Sequence, residues 1–157
     1  MKLNATVISA YIFKRPSRRL LGMHEFTIAQ GIVDFLRETY SAKGYRITSF
    51  RIALGELSMF DKNLIIGLVR ELIKGTELEG AKFTVSIEEA TIKCESCNQI
   101  HTFKELTKAL SNDEKEMIHF IPELISSFAR CLSCGSRDLK IITGRGVMVT
   151  DIAVKKA

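Results

Sequence analysis

Four cysteines, arranged as two pairs of the form C-x-x-C, constrain the fold of this chain more than any other feature. Cys94 and Cys97 form the first pair, Cys131 and Cys134 form the second, and the sequence contains no other cysteine. A two-residue spacer lets one tight turn direct two thiolates at a single ion, and two such turns complete the tetrahedral shell of a structural zinc site. The spacing therefore predicts one structural zinc ion held by all four cysteines.

Two other roles of paired cysteines fit this chain less well. Disulfides are typical of secreted proteins, but the short apolar stretch over residues 5–13 is followed by basic residues rather than by the small-residue cleavage site of a signal peptide. A thioredoxin-like redox motif needs only one C-x-x-C pair beside a βαβ pattern. The two pairs are 33 residues apart, more than the 15 to 20 of a compact zinc ribbon, so the intervening segment must fold.

The excess positive charge of the chain is confined to its first 22 residues. The net charge is +5, and these residues hold five lysines and arginines and no acid, whereas the remainder balances 18 bases against 18 acids. A neutral body removes the main argument for a nucleic-acid-binding surface. We interpret residues 1–22 either as a basic tail or as the product of an upstream start, with the true start at Met23.

Hydrophobic periodicity predicts two amphipathic helices and several strands. Apolar residues recur at three- and four-residue steps over residues 25–42 and 64–73, and Asp61 precedes the second pattern as a natural N-cap. The predicted strands span residues 45–57 with a bulge, 83–88 continuing towards Cys94, 139–142 and 147–154. Glycines between the last two strands predict a hairpin. Two short helices are predicted between the cysteine pairs, the second beginning with a capping box at residues 111–114.

These elements predict an α+β fold, in which two helices pack on a small sheet of about three strands and a four-cysteine zinc-ribbon-like module is inserted before the final strands. The predicted divisions are an N-terminal extension over 1–22, an α/β domain over 23–92 and 138–157, and a zinc module over 93–137. Catalytic signatures are missing from the sequence, so we predict no enzymatic activity. No apolar run approaches the roughly 18 residues that cross a bilayer, and we predict a cytoplasmic protein.

Three histidines are the other candidates for metal chemistry: His24, His101 and His119. His24 lies in the string Met23-His24-Glu25, which opens the first helix. In a chain starting at Met23, the α-amino group, the backbone amide and the imidazole would offer nitrogen donors in a near-planar array, which suits Ni(II) or Cu(II). Alternatively, His24 is solvated and Glu25 complements the helix dipole. His101, just beyond the first cysteine pair, is interpreted as a neighbour of the zinc site.

The order of these motifs resembles the HypA family of hydrogenase-maturation nickel metallochaperones. The resemblance covers Met23 to the C-terminus and rests on the Met-His-Glu start, a strand ending in the sequence Gly-Glu-Leu-Ser at residues 55–58, a helix, a strand and the cysteine pairs. The long insertion between the pairs is similar to the archaeal type of the family. One departure is that 22 residues precede Met23, whose nitrogen is then an ordinary amide.

The resemblance implies weak binding of Ni(II) as a transient cargo at Met23, His24 and Glu25, with His24 as the essential ligand and structural zinc on the four cysteines. Asp61 lies where some family members offer nickel a carboxylate; its alternative role is that of a helix cap. We also predict that His119, in the insertion, can complete the nickel coordination. The implied partners are a nucleotide-hydrolysing protein of HypB type and the large subunit of nickel-iron hydrogenase, with no nucleic acid and no membrane.

Two other functions fit parts of the sequence. The paired cysteines and the calculated isoelectric point near 9.1 also suit a zinc-ribbon nucleic-acid-binding or transcription-associated module, although the neutral body argues against it. A metalloenzyme that uses His24 and Glu25 at a catalytic ion is the second alternative. It is weakened because no second histidine lies nearby and no acid-base pair is positioned beside them.

Overall fold

The structure is a computed structural model that describes residues 8–9 and 21–157, with side chains from Glu25 onward. The interpretation of residues 1–22 therefore lies almost entirely outside the described residues, as do the side chains of Met23 and His24. In chain order the elements are β1 Ile8–Ser9, α1 Leu21–Thr39, β2 Tyr45–Gly55, α2 Lys62–Ile73, β3 Lys82–Glu88, β4 Thr91–Cys94, β5 Ile100–Thr102, α3 Phe103–Thr107, α4 Asn112–Phe120, α5 Ile125–Phe128, β6 Leu139–Thr143 and β7 Val147–Lys156.

The chain forms two compact units, each with its own hydrophobic core. The first comprises the described residues up to Leu54 together with Phe60–Ser86 and Gly146–Ala157. The second comprises Gly55–Met59 and Ile87–Arg145, and thus contains all four cysteines. The predicted α+β class is confirmed, with helices and small sheets in both units.

The first unit packs α1 and α2 with a sheet of strand order β1-β7-β2-β3. Helix α1 buries Ala29, Ile32, Val33 and Leu36, which recur at the three- and four-residue steps of one helix face. The helix begins four residues earlier and ends three residues earlier than predicted, and a short 3-10 turn then leads to Gly44 in the left-handed region at φ 83°.

The bulge predicted in β2 is confirmed by its pairing with β7. The register shifts between Ile47 and Ser49 and again between Ser49 and Arg51. These shifts let Ile47 and Phe50, which an uninterrupted strand would direct to opposite faces, both be buried in the core.

The second unit packs three short helices with a sheet of strand order β5-β4-β6. Helices α3 and α4 lie where two helices were predicted, and the capping box of Ser111 and Glu114 is present at the start of α4. A second capping box, formed by Thr102 and Glu105, begins α3. A 3-10 turn and α5 follow α4 and were not predicted.

The predicted hairpin between β6 and β7 is wrong, because β6 pairs with β4 and β7 pairs with β2. The glycine at the end of β6 serves a close approach rather than a hairpin turn. A Cβ atom on Gly144 would lie 2.4 Å from the Cα of Ala90, and the backbone has φ 91°. The Gly144 carbonyl also accepts a hydrogen bond from the Leu57 amide at 2.9 Å. Gly144 is therefore a packing contact of the second unit.

The predicted strand running into Cys94 is also interrupted, because β3 ends at Glu88 and β4 begins at Thr91 in a different sheet. The break is held by the Gly-Glu-Leu-Ser segment, where the Glu56 carboxylate accepts a hydrogen bond from the Ala90 amide at 2.7 Å. This segment thus has a structural role within the second unit.

None of the helices in the described part of the chain has the length and apolar character that crossing a membrane would require.

Candidate metal centre

The two cysteine pairs meet in one four-sulfur cluster. Their Sγ atoms all lie within 4.8 Å of one another, with 3.5 Å between Cys94 and Cys134 and 3.6 Å between Cys97 and Cys131. A tetrahedral zinc ion with bonds of about 2.3 Å holds its sulfurs about 3.8 Å apart, whereas a disulfide requires about 2.05 Å. The cluster therefore fits a four-thiolate zinc shell, and all four cysteines are free of disulfides.

Each cysteine pair sits in a turn, and the two turns repeat the same backbone pattern. The amide of Asn98 donates to the carbonyl of Cys94 at 2.8 Å, and the amide of Gly135 donates to the carbonyl of Cys131 at 2.9 Å. Asn98 and Gly135 both adopt positive φ, 63° and 76°, a conformation that asparagine and glycine tolerate best. The two turns, at residues 94–98 and 131–135, are thus equivalent in local structure, and we call them knuckles.

The neighbours of the four thiols shift their pKa values in opposite directions. The backbone N–H of Cys134 is the main cause that lowers the pKa of the Cys131 thiol to about 5, with a further contribution from His101. The pKa of Cys97 is instead raised to about 12: the Gln99 N–H opposes the shift, but burial and the other cysteines outweigh it. Four adjacent thiolates repel one another, so a cation is needed to hold them all ionised.

His101 lies against this cluster as the neighbour that the sequence suggested. Its side chain is 8% exposed, and Nε2 lies 3.2 Å from the Sγ of Cys131. The contact crosses from one knuckle to the other, since His101 follows the first cysteine pair and Cys131 begins the second. The sequence predicts the proximity of His101 to zinc but contains no local signal for its partner.

Among the predicted nickel residues, the structure brings Glu25 and Asp61 together. The Glu25 side chain is only 6% exposed, and its Oε1 accepts a long hydrogen bond from the Asp61 amide at 3.4 Å. Its Oε2 is buried and has no hydrogen-bond partner within residues 25–157. A buried carboxylate oxygen without a partner is costly unless a cation or a donor satisfies it.

Asp61 has the predicted position of a helix cap. Its Oδ1 accepts a hydrogen bond from the Leu64 amide at 3.0 Å, and its backbone is extended at φ −72° and ψ 112°. The cap uses one carboxylate oxygen, so the other can serve a metal. The two roles of Asp61 are therefore compatible.

His119 lies in α4 of the second unit. Its ring centroid is 5.6 Å from that of Phe103, with the ring planes tilted by 49°. Its role in nickel coordination stays a prediction.

Comparisons with known proteins agree on one family. Residues 23–154 match the family model described as "Hydrogenase/urease nickel incorporation, metallochaperone, hypA". The hydrogenase maturation factor HypA of Pyrococcus furiosus is 35% identical over 135 residues, covering 85% of this chain and 97% of the relative. Its counterpart from Thermococcus sibiricus is 37% identical over 137 residues, with the same coverage.

A solved structure agrees with these relatives in fold. The chain matches the "Solution structure of HypA protein" with a TM-score of 0.53 and 15% identity, over 86% of this chain and 98% of that one. At this level of identity the likeness supports the fold alone.

Proposed function

The chain belongs to the HypA family of nickel-incorporation metallochaperones of hydrogenase maturation, and on this premise we propose which residues carry nickel and where it goes. Ni(II) binds at the N-terminal end of α1 through His24, with Glu25 and the backbone nitrogen of Met23. It then passes, in the cytoplasm, to the large subunit of a nickel-iron hydrogenase. A nucleotide-hydrolysing protein of HypB type assists the transfer. The family match does not favour a nucleic-acid-binding function.

The observation that carries this proposal is the state of the Glu25 carboxylate. Its buried Oε2, one residue after His24, has no hydrogen-bond partner among residues 25–157, and it supplies a negative charge where a divalent cation would be stabilised. Asp61, whose backbone amide lies 3.4 Å from Glu25 Oε1, carries a second carboxylate at the N-terminal end of α2. Imidazole, amide nitrogen and carboxylate oxygen form a donor set without sulfur, and such a set suits Ni(II) better than it suits a structural zinc ion.

The two metals then have separate tasks, which matches the proposed division of the chain. Residues 1–22 are proposed as an extension, residues 23–92 with 138–157 as the nickel-binding domain and residues 93–137 as the zinc module, whereas the compact unit that contains the cysteines extends to residues 55–59 and 87–145. Zinc bound by the four cysteines is a permanent part of the fold, and binding free energies on the order of 10 kcal/mol or more are typical of such sites. Nickel is cargo and must be released, so its site is expected to bind more weakly. His119 is a candidate ligand that joins the site when a partner binds.

Calorimetry with Ni(II) tests the nickel assignment. We expect the zinc-loaded chain starting at Met23 to bind one Ni(II), and we expect His24→Ala to abolish this binding while zinc stays stoichiometric. His101→Gln is the matched control, because it changes a histidine outside the proposed nickel site. Retained nickel affinity in His24→Ala would reject the assignment.

A further inference from the structure

The two knuckles are equivalent in backbone but differ in one side-chain contact. In each knuckle, backbone N–H groups of the last cysteine and of the preceding serine lower the pKa of the first cysteine. Of these two cysteines, only Cys131 also contacts a side chain other than cysteine within residues 25–157, since His101 Nε2 lies 3.2 Å from its Sγ. The hydrogen bonds around Cys94, the matching cysteine, come from backbone amides and the other cysteines. The asymmetry of the site is therefore due to His101.

Two features of the fold hold His101 in place, one on the neighbouring strand and one at the next residue of the chain. His101 in β5 pairs with Ile92 in β4. Ile92 lies two residues before Cys94, and side chains two residues apart in a strand point to the same face of the sheet. His101 and Cys94 therefore share the buried face of this sheet. The next residue, Thr102, forms the capping box with Glu105 through hydrogen bonds of 2.8 and 3.1 Å. A side chain fixed in this way loses little further entropy when it makes a directed contact.

The direction of the hydrogen bond follows from the chemistry of the bound metal. A cysteine that ligates zinc has lost its proton and can only accept. The donor in the contact with Cys131 is therefore the Nε2–H of His101, which specifies the tautomer of the imidazole. A donated hydrogen bond draws charge from the sulfur, so that sulfur is less prone to take up a proton or to bind a second metal.

We propose that His101 is a positioning residue of the zinc centre, which protects the bond between zinc and Cys131 and thereby keeps Ni(II) from replacing zinc at the four cysteines. A chain that carries nickel is exposed to this exchange, because raw affinity does not by itself select one divalent transition metal at a donor set, and selectivity comes from geometry, ligand type and metal availability. The inference rests on the zinc assignment of the proposed function and is independent of the nickel ligands.

The test is a nickel challenge of the zinc-loaded full chain. Zinc released in excess Ni(II) is followed by elemental analysis of the desalted protein over time, for the parent chain, His101→Gln, His101→Leu and His101→Met. The glutamine retains an N–H donor, whereas leucine and methionine do not. Leu106→Ala is the control, because Leu106 is buried in the same core as the cysteines but its side chain cannot donate a hydrogen bond to a sulfur. A variant that loses general stability is thereby separated from one that loses the donor.

The second readout is the absorption of the Co(II)-substituted protein. We expect the sulfur-to-cobalt charge-transfer bands to move to lower energy in His101→Leu and His101→Met, since a sulfur without a hydrogen bond gives up its electrons more easily. Leu106→Ala and His101→Gln should keep the bands of the parent chain.

We expect zinc loss in His101→Leu and His101→Met to be at least about tenfold faster than in the parent chain, the scale seen when outer-shell partners are removed. The glutamine variant should stay within about threefold of the parent chain. Equal rates and equal bands in all variants would overturn the inference, as would His101→Gln behaving like the leucine variant. Absence of any thiolate band in the parent chain would reject the zinc assignment itself. The nickel calorimetry of His24→Ala is unaffected by either result.

Discussion

The four-cysteine cluster and the Glu25–Asp61 contact differ in the number and kind of metal ligands that they offer. The cluster brings four like ligands within 4.8 Å, from two turns of equal backbone pattern, with a histidine supporting one of the sulfurs. In the Glu25–Asp61 contact, the Glu25 carboxylate accepts a long hydrogen bond from the Asp61 amide and the Asp61 carboxylate caps α2, while one buried Glu25 oxygen has no hydrogen-bond partner among residues 25–157. A closed, uniform shell suits a metal that stays, and an incomplete, mixed set suits a metal that is passed on.

Among the tests of this comparison, loss of a zinc ligand should have the largest effect. We expect Cys131→Ala to bind no zinc and to unfold the second unit, because the binding free energy of such sites is part of the folding free energy. Hydrogen exchange by mass spectrometry should show loss of protection over residues 87–145 and retained protection in α1 and α2. A second unit that stays protected without zinc would contradict a structural role for the cluster.

Disruption of the close contact between Gly144 and Ala90 should have the next largest effect. A Cβ would lie 2.4 Å from the Cα of Ala90, at a backbone φ of 91°, so we expect Gly144→Ala to destabilise the second unit by about 2–4 kcal/mol. Gly146→Ala is the matched control, since its φ is also positive, 68°, but no atom lies within 4 Å of the added Cβ. It should cost about 1 kcal/mol. Chemical denaturation followed by circular dichroism measures both values, and equal losses would contradict the packing role.

Neutralising Glu25 tests whether its carboxylate takes part in nickel binding. We expect Glu25→Gln to weaken nickel binding by at least about tenfold while zinc content stays unchanged, because a neutral amide keeps the shape but not the charge. Glu38→Gln is the control, as Glu38 lies exposed on the same helix. Calorimetry with Ni(II) measures the difference. Equal affinities in the two variants would remove Glu25 from the site.

The smallest expected effect separates the two roles of Asp61. Asparagine also caps helices well, so Asp61→Asn should keep stability, whereas Asp61→Ala should lose about 1 kcal/mol. If the carboxylate also serves nickel, both variants should bind Ni(II) more weakly. Unchanged nickel affinity in Asp61→Asn would leave Asp61 with the cap alone. Thermal unfolding and calorimetry on the same samples provide both measurements.

The features predicted well from the sequence are those set by short stretches of chain. The C-x-x-C spacing, the cap at Asp61, the capping box at Ser111 and the spacing of apolar residues in α1 each depend on neighbours within a few positions. The family resemblance had the same basis, because it rests on the order of such local motifs. The bulge in β2 was also predictable, since the parity of its apolar residues changes within the strand.

Features that depend on distant residues were not predictable in this way. Gly144 looked like a hairpin turn because its partner, Ala90, is more than 50 positions away in the chain. The contact of Glu25 with Asp61 joins positions 36 residues apart, and that of His101 with Cys131 joins positions 30 apart. Such contacts are decided by tertiary packing, and no local spacing encodes them.

X-ray absorption at both metal edges of the chain loaded with zinc and one equivalent of Ni(II) tests the separation of the two metals most directly. The account predicts four sulfurs at about 2.3 Å around zinc and only nitrogen and oxygen donors around nickel. Sulfur in the nickel shell, or fewer than four sulfurs around zinc once nickel is bound, would contradict it.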